Sequence, residues 1–223
     1  MFQKSGIMVF ENRTQAGQLL AKRLASFKFD PKKTVVFGIP RGGVPVAYEA
    51  SKFLKIPLEV IVVKKLGAPG NPELAIGATG SHGEPVLDRW LIADLGVTAQ
   101  YIKKEVLKKK KEAKSLERIL GIEFGKAKYG GKTAILVDDG LATGQTVKAA
   151  GKILKELGTD RIILAVPCGF DDILLQIKDN FDDVVFLVSE KYGGAVGQFY
   201  RDFGQVSTEQ VKEILNETNR RVR

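Results

Sequence analysis

The chain has 223 residues, of which 44% are hydrophobic and 27% charged, and a formal net charge of +9. These values are typical of a globular protein with one sizeable α/β core, and no apolar run approaches the roughly 20 residues that a membrane-spanning helix needs. The lone Cys168 excludes an internal disulfide, and with His82 as the lone histidine no metal site built on these residue types is expected. Because the N-terminus also lacks the pattern of a signal peptide, we expect residues 1–223 to form one cytoplasmic domain.

Strand and helix patterns alternate from the start of the chain. Asn12 can cap a first helix, TVVFG at 34–38 is typical of a short buried strand, and a second helix is predicted from about Pro45. LEVIVV at 58–63 predicts a second strand. Residues 64–88 are rich in Gly and Pro and contain two short β-like runs, which indicates a long excursion with a hairpin.

Most of the excess positive charge lies in residues 98–132. Apolar residues recur there at near-helical spacing, so KEVLKKKKEAK at 104–114 predicts an amphipathic helix with lysines on its outer face. A solvated helix face is the favoured interpretation, and a stripe that binds nucleic acid is the alternative.

Three further strands are predicted in the C-terminal half. They are TAILVD (133–138), RIILAVP (161–167) and DVVFLVS (183–189), with helices predicted between them over 144–157 and near 171–177. Buried strands separated by helices imply a doubly wound parallel sheet, so the expected fold class is α/β with a five-stranded parallel sheet.

The stretch AILVDDGLATGQTV (134–147) runs from a strand through a loop into a helix. Ionising the neighbouring Asp138 and Asp139 together costs free energy unless a ligand gathers their charge. Gly144 permits close backbone approach, and the amides of residues 142–146 would converge at a helix N-terminus, which suits an anion. A phosphorylated sugar fits both ends of the loop, since its hydroxyls can donate to the carboxylates. The alternative, a turn-forming aspartate and a helix-capping threonine, does not account for the complete DDGLATGQT pattern.

A second loop with similar properties lies in FGIPRGGVPVA (37–47). Gly42 and Gly43 permit close approach of the backbone to a ligand, and Arg41 supplies a fixed positive charge. A tight turn before a helix is the alternative interpretation. In a sheet of order 2-1-3-4-5, the first and third strands meet at the topological switch point, so this loop and the one after the third strand would share one crevice.

VDDGLATGQT resembles the phosphoribosyl diphosphate (PRPP) binding motif of type I phosphoribosyltransferases, which join ribose 5-phosphate to a nitrogenous base and release pyrophosphate. The segments FENRTQAG, IPRGGV, KKLGAPGNPELAIGA and AVGQFYRDF resemble a branch of the family whose acceptor is unassigned, so the resemblance covers most of the chain. It implies PRPP contacts from Asp138, Asp139, Ala142, Thr143, Gly144, Gln145 and Thr146. It also implies a pyrophosphate loop, often with a non-proline cis peptide, made of Arg41, Gly42 and Gly43. The catalytic residues that it implies are Asp138, Asp139 and Arg41.

The same resemblance assigns roles to two further segments. Residues 64–88 would be a flexible loop that closes over PRPP, with candidates for phosphate contact or proton handling in Lys64, Lys65 and Glu73. The N-terminus and residues from about 190 to 223 would form a hood that recognises the base, with ring-stacking candidates in Tyr192, Phe199 and Tyr200. Surface charge for the first three side chains and packing for the aromatic ones are the alternatives.

The resulting hypothesis is a magnesium-dependent phosphoribosyltransferase whose Mg²⁺ is carried mainly by pyrophosphate and ribose oxygens. Its partners would be PRPP and a nitrogenous base, with no membrane partner and a homodimer as the assembly to test. Ala142 stands where relatives that use 6-oxopurines carry an aspartate, so hypoxanthine and guanine are expected to be poor acceptors. Two alternatives remain open: a non-enzymatic PRPP-sensing regulator that binds nucleic acid through the basic helix, and a hydrolase acting on a phosphoribosylated compound.

Overall fold

The computed structural model describes residues 9–123, 125–191 and 194–221. Within them the strands are β1 (Thr34–Gly38), β2 (Leu58–Val60), β3 (Lys64–Ala68), β4 (Asn71–Thr79), β5 (Val86–Leu87), β6 (Thr133–Val137), β7 (Arg161–Phe170) and β8 (Asp183–Glu190). The helices are α1 (Arg13–Leu24), α2 (Gly43–Leu54), α3 (Arg89–Asp94), α4 (Ala99–Leu120), α5 (Lys126–Tyr129), α6 (Gln145–Glu156), α7 (Asp171–Ile177) and α8 (Thr208–Arg221). Short 3₁₀ turns lie at Ala25–Phe27, Lys178–Asn180 and Val196–Phe199. None of the helices in the described ranges has the length and apolar character needed to cross a bilayer.

The main sheet has five parallel strands in the order β2-β1-β6-β7-β8. Counted among themselves, these strands follow the order 2-1-3-4-5, so the predicted fold class is confirmed. Every residue of β1 is buried, as expected for a parallel strand covered on both faces. The second strand is shorter than predicted, because ladder pairing of β2 with β1 ends at Val60.

The core lies on both faces of this sheet because successive side chains of a strand point to opposite sides. In β6, Ala134 and Leu136 belong to the apolar cluster that includes Leu154 of α6. Ile135 belongs to a second cluster, which includes Leu20 of α1 and several residues of α2. The helices thereby fix the strand ends, where the loops emerge.

The excursion at 64–88 forms an antiparallel sheet in the order β3-β4-β5. The hairpin of β3 and β4 was predicted, whereas the third strand was not. This sheet packs on α4, where Leu66 and Ile76 contact the apolar side of the lysine-rich helix, including Val106. The amphipathic pattern of α4 therefore serves to cover the excursion, and Lys108 and Lys111 remain exposed on the outer side.

Helix α3 was not predicted from the sequence. Its N-terminus is capped by Asp88, whose Oδ1 accepts a hydrogen bond from the Leu91 amide at 3.0 Å. The other carboxylate oxygen of Asp88 accepts from Gln145 Nε2 at 3.3 Å, which connects α3 to the first residue of α6. Trp90, on this short helix, is 89% exposed.

The N-terminal segment pairs with the segment around Tyr200. Phe10 and Tyr200 form a parallel bridge, and the Arg201 amide donates to the Phe10 carbonyl at 2.8 Å. An ion pair between Arg201 and Glu11 adds to the contact. The two parts of the chain assigned to a hood by resemblance are therefore adjacent within the described residues.

Candidate active site

Two loops emerge side by side at the carboxyl edge of the main sheet. β1 and β6 are neighbours whose last residues, Gly38 and Val137, are paired. The Ile39 amide donates to the Val137 carbonyl at 2.9 Å, which extends the contact past the strand ends. The loops at 39–43 and 138–146 therefore start at the same place, as expected for the switch point of this topology.

The glycines of the first loop lie directly against the aspartates of the second. A Cβ at Gly42 would overlap Asp139 Oδ2, and a Cβ at Gly43 would lie 2.8 Å from the Asp138 Cα. Only glycine leaves room for this approach. The peptide bond before Arg41 is cis, the feature that the family resemblance implied, and the Arg41 side chain is exposed beside these glycines.

The second loop encloses a small cavity and leads into α6. Gly144 has φ +72° at the N-cap of α6, a backbone conformation that favours glycine. The Leu141 amide donates to the Cys168 carbonyl at 2.9 Å and anchors the loop to β7. The cavity has a volume of about 140 Å³, and the lining residues with a polar side chain are Lys65, Asp138, Asp139, Thr143 and Thr146. Ala142 and Gly144 also line it, so six of the seven predicted PRPP contacts surround one space.

The side chain of Gln145, the seventh predicted contact, turns away from this cavity. Its amide donates to Asp88 on the far side of the loop. In this structure the Gln145 side chain therefore positions the start of α6, and its backbone is the part that remains available to the cavity.

Asp138 is the carboxylate with the less favourable surroundings. Burial, together with the adjacent Asp139 carboxylate, raises the pKa of Asp138 well above its usual value, and Lys65 opposes that shift. Asp138 Oδ1 accepts a hydrogen bond from the Asp139 amide at 2.9 Å. In the described part of the chain Asp138 has no ion pair, so a ligand that donates hydrogen bonds or carries positive charge would relieve it.

Asp139, in contrast, has a cationic partner. Arg13 Nε lies 2.8 Å from Asp139 Oδ2, and the two side chains are only 12% and 16% exposed. Arg13 Nη1 donates to the Gly204 carbonyl at 2.8 Å, and its guanidinium carbon lies 3.9 Å from the centroid of the Phe203 ring. Arg13 therefore links the Asp139 carboxylate to the segment after Tyr200.

Neither Arg13 nor Phe203 was predicted as a site residue. Both lie in segments that carried the family resemblance, FENRTQAG and AVGQFYRDF, so those segments contained the signal. Phe203 is 36% exposed, which leaves part of its ring open to a ligand.

The hood candidates require a correction. Phe199 is fully buried and packs against Phe170, with ring centroids 5.6 Å apart, so its ring has no face open to a base. Tyr200 is 6% exposed, and its hydroxyl donates to the Asp139 carbonyl at 2.5 Å. Both residues support the site because their rings pack in the core beneath it. Tyr192 lies outside the described residues.

The backbone of Asp139 is held by two buried groups of high pKa. Burial raises the pKa of the Tyr200 hydroxyl, and burial with the nearby Asp139 carboxylate raises the pKa of the Cys168 thiol to about 12. The Cys168 thiol lies 3.6 Å from the Asp139 carbonyl oxygen. Both groups therefore stay protonated and serve as donors that fix the loop.

The candidates from the excursion lie at different distances from the cavity. Lys65 lines it, whereas Glu73 is exposed on β4 and is not among the lining residues. Lys64 is half-buried, and burial lowers its pKa, with Glu112 opposing the shift and Arg41 among the positive charges that add to it. The structure thus brings Lys65 to the site and leaves Glu73 outside it.

Comparisons with known proteins identify the family. Residues 11–202 match the family described as "Phosphoribosyl transferase domain". A Mycobacterium tuberculosis protein, MT0597, provisionally named a phosphoribosyl transferase, is 40% identical over 216 residues, which cover 95% of this chain and 47% of that protein. The chain thus spans about half the length of the curated relatives it matches.

Two solved structures are similar to this chain. The crystal structure of TT1426 from Thermus thermophilus has a TM-score of 0.75 at 36% identity, covering 94% of this chain and 99% of that one. The AQ2163 protein from Aquifex aeolicus, with a TM-score of 0.51 at 12% identity over 86% of this chain and 85% of its own, shares the fold alone. From the match over residues 11–202, the chain belongs to the phosphoribosyl transferase domain family.

Proposed function

We propose that the protein is a magnesium-dependent phosphoribosyltransferase that transfers ribose 5-phosphate from PRPP to a nitrogenous base. The observation that supports this most is the contact of Gly42 and Gly43 with Asp139 and Asp138. It brings a glycine-rich loop with an arginine against a loop with two carboxylates and a helix N-terminus. One ligand that carries a pyrophosphate, a ribose and a second phosphate would use all of these groups.

Binding would divide the substrate between the two loops. The 5′-phosphate would occupy the amides at the start of α6, with hydroxyl groups from Thr143 and Thr146, because a helix N-terminus favours an anion. The ribose hydroxyls would donate to Asp138 and to the Oδ1 oxygen of Asp139, since Asp139 Oδ2 is already held by Arg13. The pyrophosphate would lie along residues 39–43.

The chemistry requires stabilisation of two opposite charges. The bond between ribose C1 and pyrophosphate oxygen breaks with its electron pair on the oxygen, and a base nitrogen donates its lone pair to C1 and loses a proton. Positive charge develops at C1, where Asp138 and Asp139 would stabilise it. Arg41 and the amides of its loop would stabilise the departing pyrophosphate.

The donor set fits a magnesium ion that arrives with the substrate. No group of three or more potential metal ligands occurs among the residues that the structure describes. Mg²⁺ commonly binds through one or two carboxylates together with substrate phosphates and water, and Asp138 and Asp139 can supply such carboxylates. When bound, the ion would neutralise charge on the pyrophosphate.

The acceptor is where the proposal can be tested most directly. Ala142 lines the cavity and can neither donate nor accept a proton, so hypoxanthine and guanine should turn over poorly compared with bases that need no carboxylate there. The experiment measures release of pyrophosphate from PRPP with Mg²⁺ and each base in turn. Efficient turnover of hypoxanthine or guanine would contradict the interpretation of Ala142. Tight PRPP binding without base-dependent pyrophosphate release would instead favour a PRPP-sensing regulator.

A further inference from the structure

A second cavity lies at the opposite end of α6 from the candidate active site. Its volume is about 230 Å³, between the end of α6, α4 and the loop that follows β4. Four aliphatic side chains form its walls: Ile61, Val62, Ile153 and Leu157. The proposed transferase chemistry uses none of them.

Glu117 brings a buried carboxylate to this cavity. The residue is 6% exposed, and its Oε1 accepts a hydrogen bond from Ser81 Oγ at 2.6 Å. Burial raises its pKa, and the Ser81 hydrogen bond, His82 and Lys114 all oppose that shift. Within the described ranges neither Lys114 nor His82 forms an ion pair with Glu117, and Oε2 accepts no hydrogen bond. A ligand donor that reaches Oε2 would therefore give this carboxylate a second hydrogen bond.

His82 adds a second acceptor through the same hydrogen-bond network. Its Nδ1 lies 2.7 Å from Ser81 Oγ, and the serine hydroxyl has a single hydrogen, which it donates to Glu117. Nδ1 must then donate to the serine oxygen. In the neutral ring this leaves Nε2 as an acceptor, on an exposed residue that lines the cavity.

Glu156 places a further carboxylate at the cavity. It is the last residue of α6, where the partial negative charge of the helix end disfavours an anion. A Cβ at Gly83 would overlap its Oε2, so the carboxylate lies directly against the loop after β4. In the part of the chain that the structure describes, Glu156 forms no ion pair.

We propose that this cavity binds a small organic cation, an amine or amidinium carried on an apolar body. The charged head would donate to Glu117, Glu156 and His82, and the body would occupy the aliphatic walls. A neutral apolar molecule would bring neither carboxylate a new hydrogen-bond donor, and an anion would be repelled. The site is separate from the PRPP cavity, so it stands whether or not the proposed function is correct.

The test compares benzamidine with benzamide, a neutral molecule of nearly the same shape. Because His82 is the lone histidine of the chain, its ring Cε1–H resonance reports on the cavity without ambiguity. We expect benzamidine to shift this resonance with an affinity about tenfold or more above that of benzamide, as a charge-assisted hydrogen bond predicts.

Two variants complete the test. Glu117→Gln should weaken benzamidine binding about tenfold, and Glu156→Gln, which alters an exposed side chain and should fold normally, should weaken it severalfold. Asp138→Asn, at the other end of α6, should bind benzamidine as the unmodified protein does. Equal affinities for benzamidine and benzamide, no resonance shift with either, or unchanged benzamidine affinity in both glutamine variants would overturn the proposal.

Discussion

At its N-terminal end α6 begins beside Asp138 and Asp139, and at its C-terminal end it finishes at Glu156, near the buried Glu117. The first pair of carboxylates lies close to helix amides, glycine backbone and Arg13. The second pair lies near the negative end of the same helix dipole and has no ion pair in the described part of the chain.

The difference shows that carboxylates must be judged by what surrounds them. At the N-terminal end the helix amides favour an anion and Arg13 balances Asp139, which suits the proposed sugar phosphate with its accompanying cation. At the C-terminal end Ser81 donates to Glu117, and Lys114 and His82 favour its charged form, but in the described ranges neither forms an ion pair with it, so a cationic ligand can supply that partner. The two pairs of carboxylates at the ends of α6 therefore predict different ligands.

The largest expected effect tests the N-terminal end. Asp138→Asn combined with Asp139→Asn should weaken PRPP binding by about 100-fold or more, because two charge-assisted hydrogen bonds to the ribose are lost. Glu117→Gln combined with Glu156→Gln is the matched control and should leave PRPP affinity unchanged. Calorimetric titration with PRPP and Mg²⁺ measures both. Unchanged affinity in the aspartate variant would show that the ribose binds elsewhere.

A smaller effect separates the two aspartates from each other. Asp139→Asn should lower the free energy of unfolding at neutral pH by about 1 kcal/mol, because Arg13 loses its charged partner in a mostly buried position and the relief of repulsion at Asp138 offsets only part of this. Asp138→Asn should instead raise it, since burial and the Asp139 carboxylate disfavour the Asp138 anion and the asparagine oxygen can still accept from the Asp139 amide.

The pH dependence of the free energy of unfolding tests the direction of the Asp138 effect. Its pKa is raised in the folded state, so folding is favoured below the unfolded-state pKa and that advantage is lost as pH rises through the folded-state value. The stabilisation by Asp138→Asn should therefore be present at neutral pH and disappear on acidification. Denaturant unfolding at a series of pH values measures it, and equal destabilisation by both single variants would contradict the distinction.

The smallest expected effect tests the C-terminal end. Glu156→Gln should raise the free energy of unfolding by about 0.5 kcal/mol, because it removes a negative charge from the negative end of a helix dipole. Added salt should reduce the difference, since the side chain is exposed. A loss of stability on thermal or denaturant unfolding would mean that Glu156 already has a cationic partner.

The sheet and the position of the loop at 138–146 could be predicted because they depend on local patterns. Apolar strands followed by helices specify a parallel sheet, and its topology places two of the loops together. Strand lengths were less predictable. β7 continues past the expected end at Pro167 to Phe170, because β8 pairs along it to Glu190, beyond the point where pairing with β6 stops.

The partners of the site residues could not be predicted because they come from distant parts of the chain. Arg13 reaches Asp139 across 126 positions, and Phe203 lies against Arg13 from the other end of the sequence. Nothing local to FENRTQAG shows where the arginine points. The burial of Phe199 and Tyr200 likewise depends on packing with residues such as Phe170. The presence of aromatic residues in a segment therefore does not show whether their rings stack on a ligand or pack in the core.

The exposed Trp90 gives this protein an intrinsic optical reporter. It is the only tryptophan of the chain and lies on α3, two positions after the Asp88 that accepts a hydrogen bond from Gln145. Indole emission depends on contact with water. A movement of α3 that accompanies ligand binding at the 138–146 loop would therefore shift the emission maximum of this one tryptophan. Rapid-mixing fluorescence could then follow that loop in time without any attached dye.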